Sequence, residues 1–118
     1  RLRKGQLILT EVRAGTQQVD AVVDTGSEVT IGNTALRNKL IRRDPKQFSE
    51  IEVIGVTGTA SKLQVARLPL LRIGGVTMQN VTVAFADVPP FDVFGIKGKP
   101  SLLLGTDLMS NFRRVSLD

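Results

Sequence analysis

The sequence contains no cysteine, no histidine, no tryptophan and no tyrosine. Without Cys there can be no disulfide framework, thiolate metal site or cysteine nucleophile. Without His, the Ser-His-Asp and Cys-His arrangements fall away, as do the usual zinc sites and any imidazole base. The only aromatic residues are five Phe, which leaves little for stacking on nucleic-acid bases. No apolar run approaches the roughly 18–20 residues that cross a bilayer as a helix, and no signal peptide is visible. The chain opens on Arg1 rather than Met and is read as a domain excised from a longer protein. Localisation stays unknown on this reading, and an upstream membrane anchor or export signal stays open. Any acid–base chemistry must rest on carboxylates, lysines or hydroxyls.

What is present suits one domain spanning residues 1–118. Hydrophobic residues make up 42% of the chain and charged residues 23%, enough for a real core at this length. Sixteen Lys and Arg against eleven Asp and Glu give a net charge of +5. The basic residues gather only in short clusters: Arg1, Arg3 and Lys4; Arg42 and Arg43; Arg113 and Arg114. Such scattered clusters are read as solvated surface, with no nucleic-acid partner.

Short β-branched runs broken by Gly and polar turns dominate the pattern. Strands are expected at Gln6–Arg13, Gln17–Val23, Val29–Ile31, Ile51–Val56, Lys62–Leu68, Leu70–Ile73, Val76–Met78, Val81–Phe85, Ser101–Leu104 and Arg113–Leu117. Thr57-Gly58-Thr59 and Gly74-Gly75 mark hairpin turns. A short helix is expected over Ala35–Leu40, with Asn33 or Thr34 as its N-cap. One or two helical turns are expected over Asp107–Phe112, capped by Thr106. Arg42–Gln47 reads as a loop. So does the longer connection from Asp87 to Pro100, which holds three of the five prolines. The expected fold class is all-β: a closed, barrel-like lobe with one or two short helices.

One segment stands out: Ala21-Val22-Val23-Asp24-Thr25-Gly26-Ser27-Glu28-Val29-Thr30. An Asp at the end of a buried strand is expensive unless something accepts its charge. Gly26 lets backbone N–H groups approach the carboxylate, and Thr25 and Ser27 add hydroxyls. A plain Asx turn between strands would use the same residues. The apolar flanks and a second segment, Ser101-Leu102-Leu103-Leu104-Gly105-Thr106-Asp107, tip the balance toward chemistry.

An apolar Asp-Thr-Gly loop, a Gly-bearing hairpin and a C-terminal apolar-apolar-Gly before a short helix resemble the retropepsin-like aspartic proteases. The likeness covers nearly the whole chain. Phe94-Gly95-Ile96, Lys99 to Asp107 and Phe112-Arg113-Arg114-Val115 resemble the bacterial branch of that family. The resemblance implies an aspartic endopeptidase acting on peptide or protein substrates with neither cofactor nor metal. Asp24 would be the catalytic aspartate. Thr25 would brace two such loops against each other. Gly26 would let the carboxylates lie coplanar, and Ser27 would bond the outer oxygen of Asp24. Val56, Thr57, Gly58 and Thr59 would form the flap over the substrate. Leu103, Leu104 and Gly105 would form the strand beneath the loop.

Departures are visible too. Viral members commonly carry Arg where this chain has Thr106, so Glu28 lacks its usual partner. Asp107 reads as favourable charge at a helix N-terminus. The chain holds one Asp-Thr-Gly only, and the shared-proton chemistry needs two carboxylates. The second is expected from a homodimer partner or from a second homologous lobe. The alternative is a non-catalytic peptide-binding module with the same fold.

Overall fold

The computed structural model describes residues 2–3, 6–55 and 57–108. In chain order these form β1 (Leu2–Arg3), β2 (Gln6–Ala14), β3 (Gln17–Val23), β4 (Ile31–Gly32), α1 (Thr34–Arg43), a 3₁₀ turn (Pro45–Gln47), β5 (Phe48–Ile54), β6 (Ala60–Ile73), β7 (Val76–Phe85), α2 (Pro89–Val93) and β8 (Ser101–Leu104). Neighbouring strands run β1-β2-β3-β8-β4-β7-β6-β5, and a further pairing of β2 with β6 closes six of them into a barrel. The all-β, barrel-like lobe with short helices is therefore the fold of this chain.

The middle of the barrel is the most deeply buried part. β8 lies between β3 and β4, parallel to the first and antiparallel to the second. Val22 stands opposite Leu103, and Val23 opposite Leu104. Ala21, Leu102 and Leu104 face the main core with Val12, Leu36, Leu71 and Val83. Val22 and Leu103 face a second cluster made with Phe91, Phe94 and Ile96. Strands covered on both faces lose the polar alternation of half-exposed ones, which is why Leu102-Leu103-Leu104 is apolar throughout. Each such side chain contributes about 1.5–3 kcal/mol on burial, so β3 and β8 make a stiff platform for whatever follows them.

Helix α1 covers one side of the main core through Leu36 and Leu40, one turn apart and both buried. Its N-cap is Asn33, whose side chain accepts from Leu36 N at 3.0 Å. The helix runs past the expected Leu40 to Arg43. Arg42 and Arg43, polar enough to resemble a loop, favour the negative end of the helix dipole. Pro45 then prevents continuation and opens the 3₁₀ turn.

Two other departures have physical causes. Strand β6 continues through Pro69 instead of breaking there. Pro69 sits between the stretch of β6 that pairs with β5 and the stretch that pairs with β2, so few hydrogen bonds are lost. On β7 the facing residue, Asn80, takes φ 56, a left-handed conformation that Asn tolerates, and the register is unchanged on either side. The connection after Asp87 is also less irregular than expected. Pro89 and Pro90 open α2, where a missing N–H costs nothing, and Phe91 anchors it in the second core cluster. The expected strand at Arg113–Leu117 and the end of the expected helix at Phe112 lie outside the described residues.

Candidate active site

Asp24 follows the last residue of β3, half-buried at the rim of the platform. Its amide donates to Leu104 O at 3.0 Å, so β8 fixes where the carboxylate emerges. The loop then folds back on itself. Gly26 N donates to Asp24 Oδ1 at 2.9 Å, and Ser27 N to Asp24 O at 3.2 Å. Gly26 N is the only hydrogen-bond donor that the Asp24 carboxylate has among the described residues. Thr25 and Gly26 are exposed, and the Thr25 hydroxyl has no partner among those residues. Ser27 differs from expectation. Its hydroxyl donates to Val29 O at 2.8 Å rather than to Asp24, because the loop turns Val29 O toward it and a hydroxyl has one proton to give.

The far end of the loop is pinned to the residues after β8. Thr106 N donates to Ser27 O at 2.8 Å. Gly105 passes so close that a methyl there would stand 2.6 Å from Val29 C and O. Its amide donates to Thr30 Oγ1 at 3.2 Å. Thr30 is fully buried, and every polar atom it carries is used. Its hydroxyl donates to Asp107 Oδ1 at 2.8 Å and its amide to Asp107 Oδ2 at 3.3 Å, while its carbonyl accepts from Ala84 N at 3.2 Å.

The structure thus brings Asp24, Thr25, Gly26 and Ser27 together with Leu104 and Gly105, while Leu103 faces the second core cluster. It also gives Asp107 a wider role than charge at a helix N-terminus. Asp107 Oδ1 does accept from Leu108 N at 2.6 Å within its own helical turn, yet the carboxylate spends its other contacts on Thr30. Thr106 is itself helical rather than a cap. Glu28 is exposed and has no ion pair among the described residues. The sequence places Thr30 in an expected strand, Val29–Ile31, and assigns it no partner. The available signal was a polar residue between two β-branched ones, Val29 and Ile31, which has to find partners once buried.

The second Gly-bearing segment is a hairpin joining β5 to β6. Gly55 N donates to Thr59 O at 3.0 Å, and Gly58 N to Gly55 O at 2.9 Å. Gly58 takes φ 84, which only glycine adopts without strain. Thr57 Oγ1 and Thr59 Oγ1 lie 3.2 Å apart, and all three tip residues are exposed. Val56 lies outside the described residues. Ile54, at the end of β5, is 68% exposed. Among the described residues β5 is an edge strand, bonded only to β6.

Among the described residues no cluster of three or more Asp, Glu, His or Cys could hold a metal ion, and no helix is long and apolar enough to cross a membrane. The chain offers one braced carboxylate and, on a separate segment, a glycine-jointed hairpin. No curated protein matches the chain. The family model described as aspartyl protease matches residues 10–108, from within β2 to the turn that carries Asp107. By that match, over a segment that contains the Asp24 loop, the hairpin and the brace, the chain belongs to the aspartyl protease family.

Proposed function

We propose that this chain is an aspartic endopeptidase whose catalytic pair is Asp24 from two copies of the lobe. The observation that carries this reading is the Asp24 loop itself. Its backbone is fixed at both ends, while the carboxylate keeps one donor, Gly26 N, and Thr25 and Gly26 are exposed.

Two Asp24 carboxylates on a two-fold axis would lie close enough that both could not ionise, and they would share a proton. The ionised member takes a proton from a water held between them. The water oxygen attacks the scissile carbonyl carbon as the protonated member gives its proton to the carbonyl oxygen. Collapse of the tetrahedral intermediate breaks the C–N bond: the member that took the water proton gives it to the leaving amine, and the other takes a proton from a hydroxyl of the gem-diol as the acid forms. Both carboxylates so return to their starting states. The Thr25 hydroxyl braces one loop against the other, and Gly26 leaves room for the two to approach. The substrate lies extended in the groove, and the hairpin at Thr57, Gly58 and Thr59 closes over it as a flap. Main-chain hydrogen bonds supply affinity, and side-chain pockets supply selectivity.

The test is a cleavage assay on a mixed peptide library from acidic to neutral pH, with wild type beside Asp24→Asn. Asn is nearly isosteric with Asp, so the fold should persist. Loss of the base and of the shared proton should lower turnover by at least about 10²–10⁴-fold. Residual activity within tenfold of wild type, in a preparation free of other proteases, would overturn the assignment.

A further inference from the structure

We propose that Asp107 is a positioning residue for catalysis, acting through Thr30 to hold the Asp24 loop at its working angle. This rests on the reading of Asp24 as the catalytic group. The loop is suspended from one short segment, Leu104 to Asp107, at four points. Leu104 O holds Asp24 N, Ser27 O takes Thr106 N, Thr30 Oγ1 takes Gly105 N, and the Asp107 carboxylate takes both the hydroxyl and the amide of Thr30. The first point fixes where the Asp24 side chain leaves the platform. The last fixes how the rest of the loop is inclined to it.

The chemistry at Thr30 is demanding. A fully buried hydroxyl must both accept and donate, or leave a polar group unpaired. Here it accepts from Gly105 N and donates to Asp107 Oδ1. Of the partners in this group, Asp107 alone is a side chain that can be removed without cutting the backbone. It is also exposed, so its loss opens no cavity in the core. Without it, Thr30 keeps Gly105 N on its hydroxyl and Ala84 N on its carbonyl but loses both bonds to Asp107. The loop stays attached through Leu104 O, Thr106 N and Gly105 N, but its far end is held less firmly, and a small shift there carries the carboxylate with it. The strands that would bind the peptide, β5 and β6, are bonded neither to Thr30 nor to Asp107. The expected consequence is a loss of turnover with binding retained.

The experiment compares kcat and KM of Asp107→Ala, Thr30→Val, Thr30→Ser, Asp24→Asn and the double variant Thr30→Val/Asp107→Ala. Each is measured at enzyme concentrations where activity per subunit has reached its plateau, alongside thermal melting. A displacement of about 1 Å near the reacting atoms costs about 100-fold. Asp107→Ala and Thr30→Val should therefore lose about 10–100-fold in kcat, with KM within threefold of wild type. Thr30→Ser, which restores the hydroxyl, should recover most of that loss. The double variant should be no worse than the poorer single one, as for groups acting as a unit. Should Thr30→Val not fold, Asp107→Ala decides. A folded Asp107→Ala with wild-type kcat, or with a melting change and no kcat change, overturns the proposal. So does a double variant in which the two losses multiply. If Asp24→Asn is inactive while Asp107→Ala is fully active, only the positioning role fails. If Asp24→Asn stays active, the reading of the catalytic group fails instead.

Discussion

A single methyl at Gly105 should separate activity from folding. A Cβ there would stand 2.6 Å from Val29 C and O and 2.9 Å from Val29 N, all of them backbone atoms with no flexible end to swing aside. Ordinary contact begins at 3.4 Å, so Val29 would have to retreat by about 0.8 Å. Overpacking of this kind costs about 1–3 kcal/mol, against a total of about 5–15 kcal/mol for a typical domain. Gly105→Ala should therefore still fold. Val29 belongs to the loop that starts at Asp24 and precedes the buried Thr30, so its retreat carries the loop with it. At about 100-fold per 1 Å of misplacement, the shift should lower kcat roughly 30–100-fold. The assay is steady-state cleavage of a peptide substrate beside a melting curve, with Gly98→Ala as control. A Cβ at Gly98 meets nothing within 4 Å, so that variant should match wild type. A folded Gly105→Ala within threefold of wild-type kcat would refute the reasoning.

Other consequences can be checked independently. Gly58→Pro removes the N–H that bonds Gly55 O and cannot adopt φ 84; turnover should drop by more than tenfold with only a modest loss of stability, and a larger effect on melting than on activity would count against a flap. Amide exchange at residues 57 to 59 should be fast in the free enzyme and slow with a statine-type peptide bound, whereas Leu102 to Leu104 should be slow in both states. Asn33→Ala should destabilise by about 2–6 kcal/mol, because Leu36 N and Ser101 N would each lose a buried acceptor worth about 1–3 kcal/mol; a denaturant titration showing less than 1 kcal/mol would contradict that estimate. Activity per subunit should rise with enzyme concentration and level off at the midpoint that sedimentation gives for dimer formation.

The strands were legible where burial is one-sided or complete. Gln17–Val23 alternates up to a doubly covered end, and Ser101–Leu104 has no polar residue beyond its first, so both are read to the residue. The Asp24 loop was legible because an acid directly after two valines of a core strand demands an explanation. Legibility failed where one residue type serves two environments. Arg42 and Arg43 resemble a loop and end a helix. Pro69 resembles a break and sits where β6 exchanges partners. Asp107 resembles favourable charge at a helix N-terminus, and its bonds to Thr30 run between residues far apart in the chain. No local pattern encodes that contact, because it exists only once β8 has been laid between β3 and β4. Asn33 is the intermediate case. Its capping role could be read locally, but its side-chain bonds to Ile96 O, Lys97 O and Lys99 O could not.

The central claim is that two copies of Asp24 act as one catalytic pair, and a subunit-mixing titration tests it most directly. Wild-type enzyme is held at a fixed concentration in the dimeric range. Folded Asp24→Asn is added, the subunits are allowed to exchange, and peptide cleavage is measured. Random pairing should lower activity to about one half at equal concentrations and to about one tenth at a ninefold excess, because mixed dimers carry one carboxylate where the reaction needs two. Activity unchanged across that range, with subunit exchange demonstrated, would contradict the account.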